Sequence, residues 1–581
     1  MFSRRLFVFS VFYWPVFATP TANDWKNLAD SLDGRLHTTL PFAASCFSTV
    51  NGVPDTPSEI ECAEVQADYA NATVRSSHFS AYMMPQWETC QRTSERCLLD
   101  PSNTSNPAAF EGSDCLQGSV PAHYIDVQSA EDVRKALEFS KATGIPLSIK
   151  ASGHDYKGRS SLRRLTFSYG FVIFFDHLKY SADFVPEGGN KSYRAITMGA
   201  GVPFQDVYEF ADANNVTIIG AYHQTVTPSG GWVMASNSRL DQITYTLIYA
   251  IQGGGHSVLT PVYGFGVDRV LQFKIVTPDG KFRVANEFQH PDLFWALRGG
   301  GGSTFGVVLE STMLVQPQNE SHSASAAISF PQTAENGVPF LKLLVDHTYR
   351  WGTEGWGGHM RSNGIINVNP LLTLEEAQVS VQPIVDYALA QNGTAVVEEL
   401  PSWMTFFTKY VLSAEAAKTT LGSRLIPAEK FTTDSGKAEL LDILTRMVQQ
   451  FSINPYIRVV GSQFLYNYTE GSTSVTPAWR NALWHMSLSR TFSWNSTAQD
   501  MRSQYESVST ITQSLRDFSP ESGVYLNECD VYEPNHEEAF WGSNCWILVL
   551  TRKSSDPFHL LDCWMCVGWK GSLDERYSCY L

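Results

Sequence analysis

The sequence predicts an α+β protein made of several compact units, and three observations support this class. The chain has 581 residues, which is far more than one hydrophobic core usually serves, so three or four units are expected. Hydrophobic residues make up 43% of the chain and charged residues 17%, which is a globular composition. From about residue 121, short β runs alternate with amphipathic helical stretches and Gly-rich turns.

The N-terminus predicts a secretory signal peptide over residues 1–18, with a buried first helix as the alternative. Arg4 and Arg5 precede an apolar run, and Val16-Phe17-Ala18 fits the small-residue rule for cleavage. Eight Asn-x-Ser/Thr sequons agree with a secreted or vacuolar glycoprotein. The acceptor asparagines are Asn71, Asn103, Asn190, Asn215, Asn319, Asn392, Asn467 and Asn495.

The charge balance excludes some partners. A net charge of −16 argues against nucleic acid, because phosphate binding needs clustered Lys and Arg. After the leader, no run of about 20 apolar residues predicts a membrane span. A small molecule is the expected partner, and no feature of the sequence indicates an oligomeric state.

Ten cysteines form two clusters of five, and an oxidising compartment favours disulfides between them. Five in each cluster leaves either an odd thiol or a bridge between clusters. Cys563-x-x-Cys566 lacks a second ligand pair nearby, so no metal site is expected. The clusters are Cys46, Cys62, Cys90, Cys97 and Cys115, then Cys529, Cys545, Cys563, Cys566 and Cys579.

The pattern along the chain divides it into four parts after the leader. Residues 19–118 are expected to form a loop-rich, disulfide-held cap, and residues 119–318 an α+β nucleotide-binding region. Residues 319–515 predict a separate substrate domain, and residues 516–581 a tail rich in aromatic and turn residues. Helices are predicted at Ser129–Thr143, Phe204–Ala213, Asp292–Leu297, Leu374–Leu389 and Lys437–Phe451. Strands are predicted at Ile145–Lys150, Ala195–Met198, Thr217–Ile219, Val270–Thr277, Gly306–Val315, Ser325–Phe330 and Ile457–Phe464.

Four Gly-rich stretches lie in the second part: residues 151–160, 199–201, 253–257 and 298–306. Glycine lets the backbone approach a ligand and present its amides, so such loops can hold a diphosphate without lysine. None has the dinucleotide fingerprint of the Rossmann fold or a phosphate-binding Gly-Lys-Ser/Thr loop. NAD and ATP sites of those kinds are therefore disfavoured.

These stretches, at 146–161, 199–202 and 253–315, resemble the PCMH-type FAD-binding domain of the vanillyl-alcohol-oxidase superfamily. Tyr525-Leu526-Asn527-Glu528-Cys529-Asp530 and Trp541-Gly542-Ser543-Asn544 resemble the C-terminal motif of berberine-bridge enzymes, nearest to fungal isoamyl-alcohol-oxidase-like proteins. The resemblance implies a substrate domain whose antiparallel sheet is covered by helices, and a tail that returns to the FAD domain. It also implies an FAD-linked oxidoreductase.

The resemblance places the cofactor residue by residue. His154 matches the histidine whose ring nitrogen bonds the flavin 8α carbon. The loop around it and further segments match FAD contacts, and Asn544 matches a tail residue near the ring. The implied contacts are Ser152, Gly153, Asp155, Tyr156, Gly158, Arg159, Ser160, Gly199, Gly201, Gly230, Gly231, Gly254, Gly255, His256, Ser257, Val267, Asp268, Val276, Gly301, Gly302, Thr304, Gly306 and Asn544.

Many relatives attach FAD a second time through a cysteine. His223 stands at that position here, and no cysteine lies between residues 116 and 528, so a single covalent bond is expected. For His223 and His256 a structural role is the favoured interpretation. Tyr525 is the candidate group for substrate deprotonation, with a purely structural buried tyrosine as the alternative. Glu528 and Asp530 lie in the same motif, and a structural role, holding the tail onto the FAD domain, is at least as favoured for them as a chemical one.

Residues 233–252 depart from the family pattern, because they separate Gly230-Gly231-Trp232 from the Gly253 stretch. We hypothesise a retained short intron in the gene sequence; a genuine insert would be a lid or a lesion in the site. Transcript sequencing distinguishes these, since a message with these codons contradicts the intron. Leu162–Phe174 and Cys545–Thr551 also depart from the pattern.

Three functions are weighed on this basis. The leading function is oxidation of a small alcohol by hydride transfer to flavin, with dioxygen as acceptor. Resemblance to the family implies a role in fungal secondary-metabolite biosynthesis. A carbohydrate oxidase on the same scaffold would need an open groove lined by aromatic and acidic residues. A flavin-free secreted binding glycoprotein would be colourless.

Overall fold

The computed structural model describes residues 20–161, 169–173, 175–235, 255–320, 323–411 and 416–581. The predicted signal peptide, Gly254, residues 236–252 of the departing segment and most of Leu162–Phe174 lie outside the described residues. Within these ranges, no helix combines the length and apolar character needed to cross a bilayer.

The N-terminal region, residues 20–118, wraps short elements in loops held by disulfides. Cys46–Cys62 and Cys97–Cys115 close loops within it, and Cys90–Cys579 links it to the tail. Both options left open by the cysteine count therefore occur, because one bridge joins the clusters while Cys529 and Cys545 remain free thiols. Cys563 pairs with Cys566. The elements are α1 (Ala22–Ser31), β1 (Leu36–Thr38), β2 (Thr49–Val50), β3 (Val53–Pro54), α2 (Glu59–Asp68) and α3 (Ala72–Ser77).

The glycine-loop region, residues 119–318, is built on two sheets. The first has strand order β1-β4-β6-β5, in which β6 pairs in parallel with β4 and β5, and the second is antiparallel with order β11-β10-β12-β8-β7. The strands are β4 (His123–Val127), β5 (Leu147–Lys150), β6 (Tyr169–Ile173), β7 (Leu178–Phe184), β8 (Tyr193–Gly199), β9 (Val216–Thr217), β10 (Val270–Val276), β11 (Phe282–Ala285), β12 (Val307–Leu314) and β13 (Gln316–Pro317). The helices are α4 (Ala130–Thr143), α5 (Phe204–Ala213), α6 (Val233–Ala235), α7 (Thr260–Tyr263), α8 (Gly266–Arg269) and α9 (Pro291–Leu297).

Helix α4 confirms the helix predicted from Ser129. The Ser129 hydroxyl accepts the Asp132 N–H at 3.2 Å as N-cap, and Gly144 ends the helix with φ +70°. The strand predicted at Thr217–Ile219 is wrong in extent, since pairing covers only Val216–Thr217.

The middle region, residues 319–515, is a seven-stranded antiparallel sheet with order β17-β14-β16-β15-β19-β20-β18. The strand predicted at Ile457–Phe464 ends at Val459, because the chain turns away from the sheet there. The strands are β14 (Ala324–Ser329), β15 (Gly357–Arg361), β16 (Gly364–Asn369), β17 (Thr394–Glu399), β18 (Thr419–Pro427), β19 (Tyr456–Val459) and β20 (Ala482–Thr491). The helices are α10 (Gly337–Glu354), α11 (Leu374–Ala390), α12 (Trp403–Tyr410), α13 (Asp434–Gln449), α14 (Ala478–Asn481) and α15 (Ala498–Phe518).

The two faces of this sheet differ because side chains alternate along a strand. Ile457 and Val459 of β19 join a core with α10, α11, α13 and α15. Tyr456 and Val460 instead join the core of the glycine-loop region. The second face therefore carries side chains toward the glycine loops.

The tail, residues 516–581, runs between these two regions and contains α16 (His536–Trp541) and α17 (Cys545–Ser555). Asn527 accepts the Tyr156 N–H at 3.2 Å, and Lys157 donates to the Leu526 carbonyl at 2.7 Å. The tail is thus tied to the loop that carries His154.

Candidate functional site

The loop after β5 is folded by its own carboxylate. Asp155 accepts the backbone N–H groups of Lys157 and Arg159, both at 2.9 Å, and the Arg159 Nε at 2.7 Å. Burial raises the pKa of Asp155, but these contacts outweigh burial and leave the pKa lowered. Gly158 has φ +72°, and a Cβ there would lie 2.4 Å from the Trp87 ring. An ion pair and a glycine with positive φ therefore shape this loop.

Glycine loops that are far apart in sequence meet at one cleft. Gly230 allows the close approach, because a Cβ there would lie 2.4 Å from Ala151 Cβ and 2.7 Å from the Ala200 carbonyl oxygen. Loops far apart in sequence thus present backbone to a shared space. The lining residues are Ile149, Ala151, Ser152, Gly153, Asp155, Arg159, Ser160, Gly230, Gly231, Gly302 and Ser303.

Arg159 is the cation among the lining residues. Its Nη2 donates to Asp155 at 2.5 Å and to Asn527 at 3.0 Å. Its Nη1 is buried without a hydrogen-bond partner among the described residues. Buried donors are normally paired, so an open guanidinium donor beside glycine backbone fits a bound anion such as the diphosphate of FAD.

His154 is fully buried between Gly153 and Asp155, both of which line the cleft. Its Nε2 lies 2.7 Å from Thr225 Oγ1. The His223 ring lies edge-on at 4.5 Å between centroids, and its Nδ1 accepts the Thr225 N–H at 3.1 Å. Thr225 therefore orients both imidazoles.

Three basic side chains from the middle sheet form a row facing the glycine loops. His359 on β15 is paired with Arg458 on β19, and Arg458 with His485 on β20. Cross-strand partners point to the same face of a sheet, so the register itself brings these three together. All three are buried, at 4%, 2% and 0% exposure.

Arg458 is held on several sides. It makes an ion pair with Glu528 of the tail at 2.6 Å and donates Nη1 to His485 Nδ1 at 3.1 Å. His485 Nε2 lies 2.9 Å from Ser423 Oγ. A buried pair with extra hydrogen bonds is one of few ways to keep an arginine and a glutamate out of water.

Glu528 and Asp530, expected to hold the tail onto the FAD domain, bind the middle region. Glu528 contacts the middle sheet through Arg458, and Asp530 contacts α15 through Ser509 and Arg516, at 2.5 and 3.0 Å. Other tail residues contact the glycine-loop region, among them Leu526, Asn527 and Tyr580, whose hydroxyl donates to the Lys157 carbonyl. Residues of the tail thus contact both regions.

His256 and Tyr525 complete the group. The His256 ring lies 5.4 Å from that of His485 and 6.0 Å from that of Tyr525, between centroids. We call His256, His359, Arg458, His485 and Tyr525 the histidine cluster.

Burial, with nearby Arg458, holds the pKa values of all three cluster histidines well below the ordinary range, so they stay neutral. Burial raises the pKa of Tyr525 well above its ordinary value, and nearby Glu528 adds to this. The phenol therefore remains a hydrogen-bond donor. The His256 Nε2 and His359 Nε2 atoms are buried without hydrogen-bond partners among the described residues.

Other residues expected at the cofactor lie outside the cleft lining. Asp268 makes a bidentate ion pair with Arg480, at 2.7 Å for both contacts, and accepts the Phe265 N–H at 2.9 Å. Its carboxylate therefore has a structural role. Asn544 donates to the Val475 carbonyl at 2.9 Å. Val267 and Val276 are core residues.

The remaining expected contacts serve turns near the cleft. Gly255 has φ +72° and packs against Gly266, and Ser257 begins the turn into α7 by accepting the Leu259 N–H at 3.3 Å. Thr304 donates to Gly302 at 3.3 Å. Tyr156 is buried with Trp87 donating to its carbonyl at 2.9 Å. Gly199, Gly201, Gly301 and Gly306 lie at strand ends or in the turn before β12.

Sequence reasoning missed His359, Arg458 and His485. A signal existed, because each charged or imidazole side chain interrupts an apolar strand, as in Tyr456-Ile457-Arg458-Val459. Residues of this kind in a buried strand need a partner or a function. No group of three or more His, Cys, Asp or Glu in the described ranges is placed to hold a metal.

Comparison with known proteins agrees with this geometry. A family model described as FAD binding domain matches residues 121–286. The chain is 37% identical to the FAD-linked oxidoreductase ffsJ of Aspergillus flavipes over 95% of this chain and 93% of that protein.

Two solved structures share the fold. The VAO-type flavoprotein MtVAO615 of Myceliophthora thermophila matches with TM-score 0.78 and 23% identity, covering 94% of this chain and 95% of that one. A glucooligosaccharide oxidase of Acremonium strictum, described with 6-S-cysteinyl, 8α-N1-histidyl FAD, matches with TM-score 0.58 and 18% identity over 77% and 92%.

Proposed function

Because the chain belongs to the FAD-linked oxidoreductases of the vanillyl-alcohol-oxidase type, we propose that it oxidises a small alcohol, with dioxygen as final acceptor. The observation that carries this proposal is the neutral, buried histidine cluster close to a glycine-lined, Arg159-bearing cleft. The cleft suits the cofactor and the cluster suits an uncharged polar substrate.

FAD would be held by the cleft through backbone amides and Arg159 Nη1, and covalently by His154. The link in the glucooligosaccharide oxidase is described as 8α-N1-histidyl, and the same ring position, Nδ1, is proposed for His154. A single link follows from His223, which stands where many relatives have cysteine. The chemical contribution of bound flavin is to accept a hydride from the substrate carbon.

The histidine cluster would handle the substrate proton. Neutral His256, with an open Nε2, is proposed to accept the hydroxyl proton; its lowered pKa leaves the ring unprotonated before the reaction and makes it a weak base. Tyr525, expected as the base, is better suited to donate a hydrogen bond that orients the hydroxyl. Arg458 is neutralised by Glu528, so the cluster offers no net charge to an anionic substrate.

The burial of the cluster favours a small substrate over an oligosaccharide. A carbohydrate oxidase is expected to have an open groove with acidic side chains. In the described ranges, the acidic group at the cluster is Glu528, which is buried and paired. Carbohydrate oxidation is therefore the second candidate, tested in the same assay.

The eight sequon asparagines support a glycosylated product of the secretory route, since each is exposed. Disulfides closing the N-terminal region agree with an oxidising compartment. Treatment of the secreted protein with an N-glycosidase should lower its mass at these sites.

The test is the absorption spectrum of purified protein, the mass of the acid-precipitated polypeptide, and peroxide release with panels of alcohols and of sugars. We expect a flavin band near roughly 450 nm and FAD mass retained on the polypeptide. Alcohol turnover supports the proposal, and sugar turnover alone favours the second candidate. If the protein is colourless, and a form lacking residues 233–252 is also colourless, the enzyme proposal fails.

A further inference from the structure

Three arginines lie together outside the cleft, where the glycine-loop region meets the middle region. Arg269 ends α8, Arg298 follows α9, and Arg480 belongs to α14. Arg269 and Arg480 are each 6% exposed, and Arg298 is half-buried. We call these three residues the arginine group. Guanidinium groups stay charged in proteins, so three of them in a partly dry place need anionic partners.

Neighbouring residues of one loop bring two of these arginines together. Arg298 Nη2 donates to the Ser472 carbonyl at 2.6 Å, and Arg480 Nη2 donates to the hydroxyl of the next residue, Thr473, at 3.1 Å. Asp268 of α8 forms the bidentate ion pair with Arg480. Arg480 therefore lies beside both the loop that binds Arg298 and the helix that carries the third arginine.

Tyr466 lies among the three cations. A Cβ added to Gly264, in the turn before α8, would lie 2.6 Å from the Tyr466 ring, so the tyrosine packs directly on this turn. Burial and the Asp268 carboxylate raise the pKa of Tyr466, whereas all three members of the arginine group act to lower it. The pKa remains raised, so the phenol keeps its proton and adds a neutral hydrogen-bond donor to the arginine group.

Arg269 is a buried guanidinium with open donors. Its Nε and Nη2 atoms are buried without hydrogen-bond partners among the described residues, and the neighbouring Asp268 carboxylate is engaged by Arg480. Other buried arginines, such as Arg75 and Arg458, are paired with glutamates. Because a buried charge without a counter-ion is costly, the open donors of Arg269 indicate that an anion belongs there.

We propose that the arginine group and Tyr466 form a binding site for a phosphate group, either as the free ion or as a phosphomonoester. Three guanidinium charges against one buried carboxylate, Asp268, leave two positive charges, which match a phosphate dianion. The other carboxylate that acts on Arg298, Glu287, is exposed to solvent. Guanidinium groups bind phosphate oxygens in bidentate fashion, and the phenol can donate to a further oxygen.

The site spans two regions of the protein. Arg269 and Arg298 belong to the glycine-loop region, whereas Tyr466 and Arg480 belong to the middle region. A bound phosphate would therefore bridge the two regions and stabilise their contact, in addition to neutralising Arg269. The site lies outside the residues that line the cleft, so its existence does not depend on the proposed function.

The experiment is calorimetric titration of the dialysed protein with inorganic phosphate at fixed ionic strength, with phenyl phosphate and acetate as further probes. We expect one phosphate bound per chain. Tighter binding of phenyl phosphate identifies a phosphomonoester as the ligand, and tighter binding of inorganic phosphate identifies the free ion. Acetate should bind more weakly than either, since a monoanion leaves one positive charge unmatched. Absence of saturable phosphate binding, or acetate binding as tight as phosphate, overturns the proposal.

Two variants of the arginine group test the assignment. Arg269→Met should weaken phosphate binding by about 10–100-fold, because it removes the open guanidinium. Since this change also removes a buried charge, it should raise the thermal midpoint in phosphate-free buffer, which distinguishes loss of the ligand from loss of the fold. Arg298→Gln, at the half-buried edge of the site, should also weaken binding. Wild-type phosphate affinity in either variant overturns the proposal.

A control variant and a second readout complete the test. Arg446→Gln removes an arginine of α13 that pairs with the exposed Asp442, and it should leave phosphate binding unchanged. Phosphate should raise the thermal midpoint of the wild-type and Arg446→Gln proteins, because a ligand that binds only the folded state stabilises it. The same concentration should have no such effect on Arg269→Met. An equal rise in all three proteins would mean that phosphate acts elsewhere and would overturn the proposal.

Discussion

The cleft and the histidine cluster are neighbours built in opposite ways. The cleft is made mostly of backbone from glycine loops, and its shape depends on missing side chains, as at Gly230 against Ala151. The cluster is made of side chains from three strands of the middle sheet, a loop and the tail. The difference teaches that a cofactor shared by a family can be held by local backbone, while substrate groups depend on long-range assembly.

The largest expected effect distinguishes the roles of His154 and His223, the two histidines beside Thr225, in flavin attachment. His154→Ala should abolish FAD mass on the denatured polypeptide, because it removes the proposed attachment nitrogen. His223→Ala, which removes a ring 4.5 Å away, should retain the attached flavin. Mass analysis of acid-precipitated protein measures both. Retention of flavin in His154→Ala would place the link elsewhere.

A second comparison divides roles within the cluster. His256→Gln should lower kcat/KM by roughly 10²–10⁴-fold, since it removes the proposed proton acceptor. Tyr525→Phe should cost less and should leave the pH profile in place, because only an orienting donor is lost. Steady-state kinetics on both variants, with the flavin spectrum as control for cofactor content, make the measurement. If the Tyr525 variant loses more activity and changes the pH profile, the tyrosine is the base.

The buried ion pair of the cluster can be compared with an exposed one. Glu528→Gln should lower the free energy of unfolding by about 3–5 kcal/mol, because Arg458 would keep its charge in the interior without a counter-ion. Asp30→Asn breaks the Lys26–Asp30 pair, whose side chains are 69% and 63% exposed, and should have no measurable effect. Urea denaturation measures both. Equal effects would show that the cluster is not sealed from water.

The cleft is expected to be sensitive to added side-chain volume, whereas the cluster is expected to be sensitive to the loss of a charge. Gly230→Ala should destabilise the protein by about 1–3 kcal/mol and reduce flavin content, because the new methyl group overlaps Ala151. Gly337→Ala is the matched control, since the nearest atom to its Cβ would be the end of the Gln332 side chain at 3.2 Å. Thermal unfolding and flavin absorbance test the pair. A yellow, fully stable Gly230→Ala protein would contradict the close approach of the loops.

The last comparison concerns acid. The three cluster histidines have pKa values lowered in the folded state, so below about pH 6.5 the unfolded chain binds protons that the folded chain does not. Stability is therefore complete above that pH and falls as the pH drops, by up to about 1.4 kcal/mol per pH unit for each histidine.

His485→Gln should reduce this slope by about one such increment, whereas His290→Gln, at an exposed position, should leave it unchanged. Unfolding free energies at pH 7, 6 and 5 provide the slopes. An unaltered slope in the His485 variant would mean that the ring is solvated.

The sequence by itself determined the family, the sheet-and-helix class and the segments that form the cleft. These depend on local requirements: Gly158 must adopt a positive φ beside Trp87, and Ser129 and Gly144 cap α4 from within a few residues. Requirements of this kind are written in short stretches of sequence, so residue type and spacing suffice to predict them.

Only the tertiary structure decided the histidine cluster and the partner of Glu528. His359, Arg458 and His485 converge because strand register places them in one row, and the tail reaches that row only after both regions have packed. Register and packing are properties of the whole chain. A side chain's partner across the interior therefore depends on distant residues that no local pattern specifies.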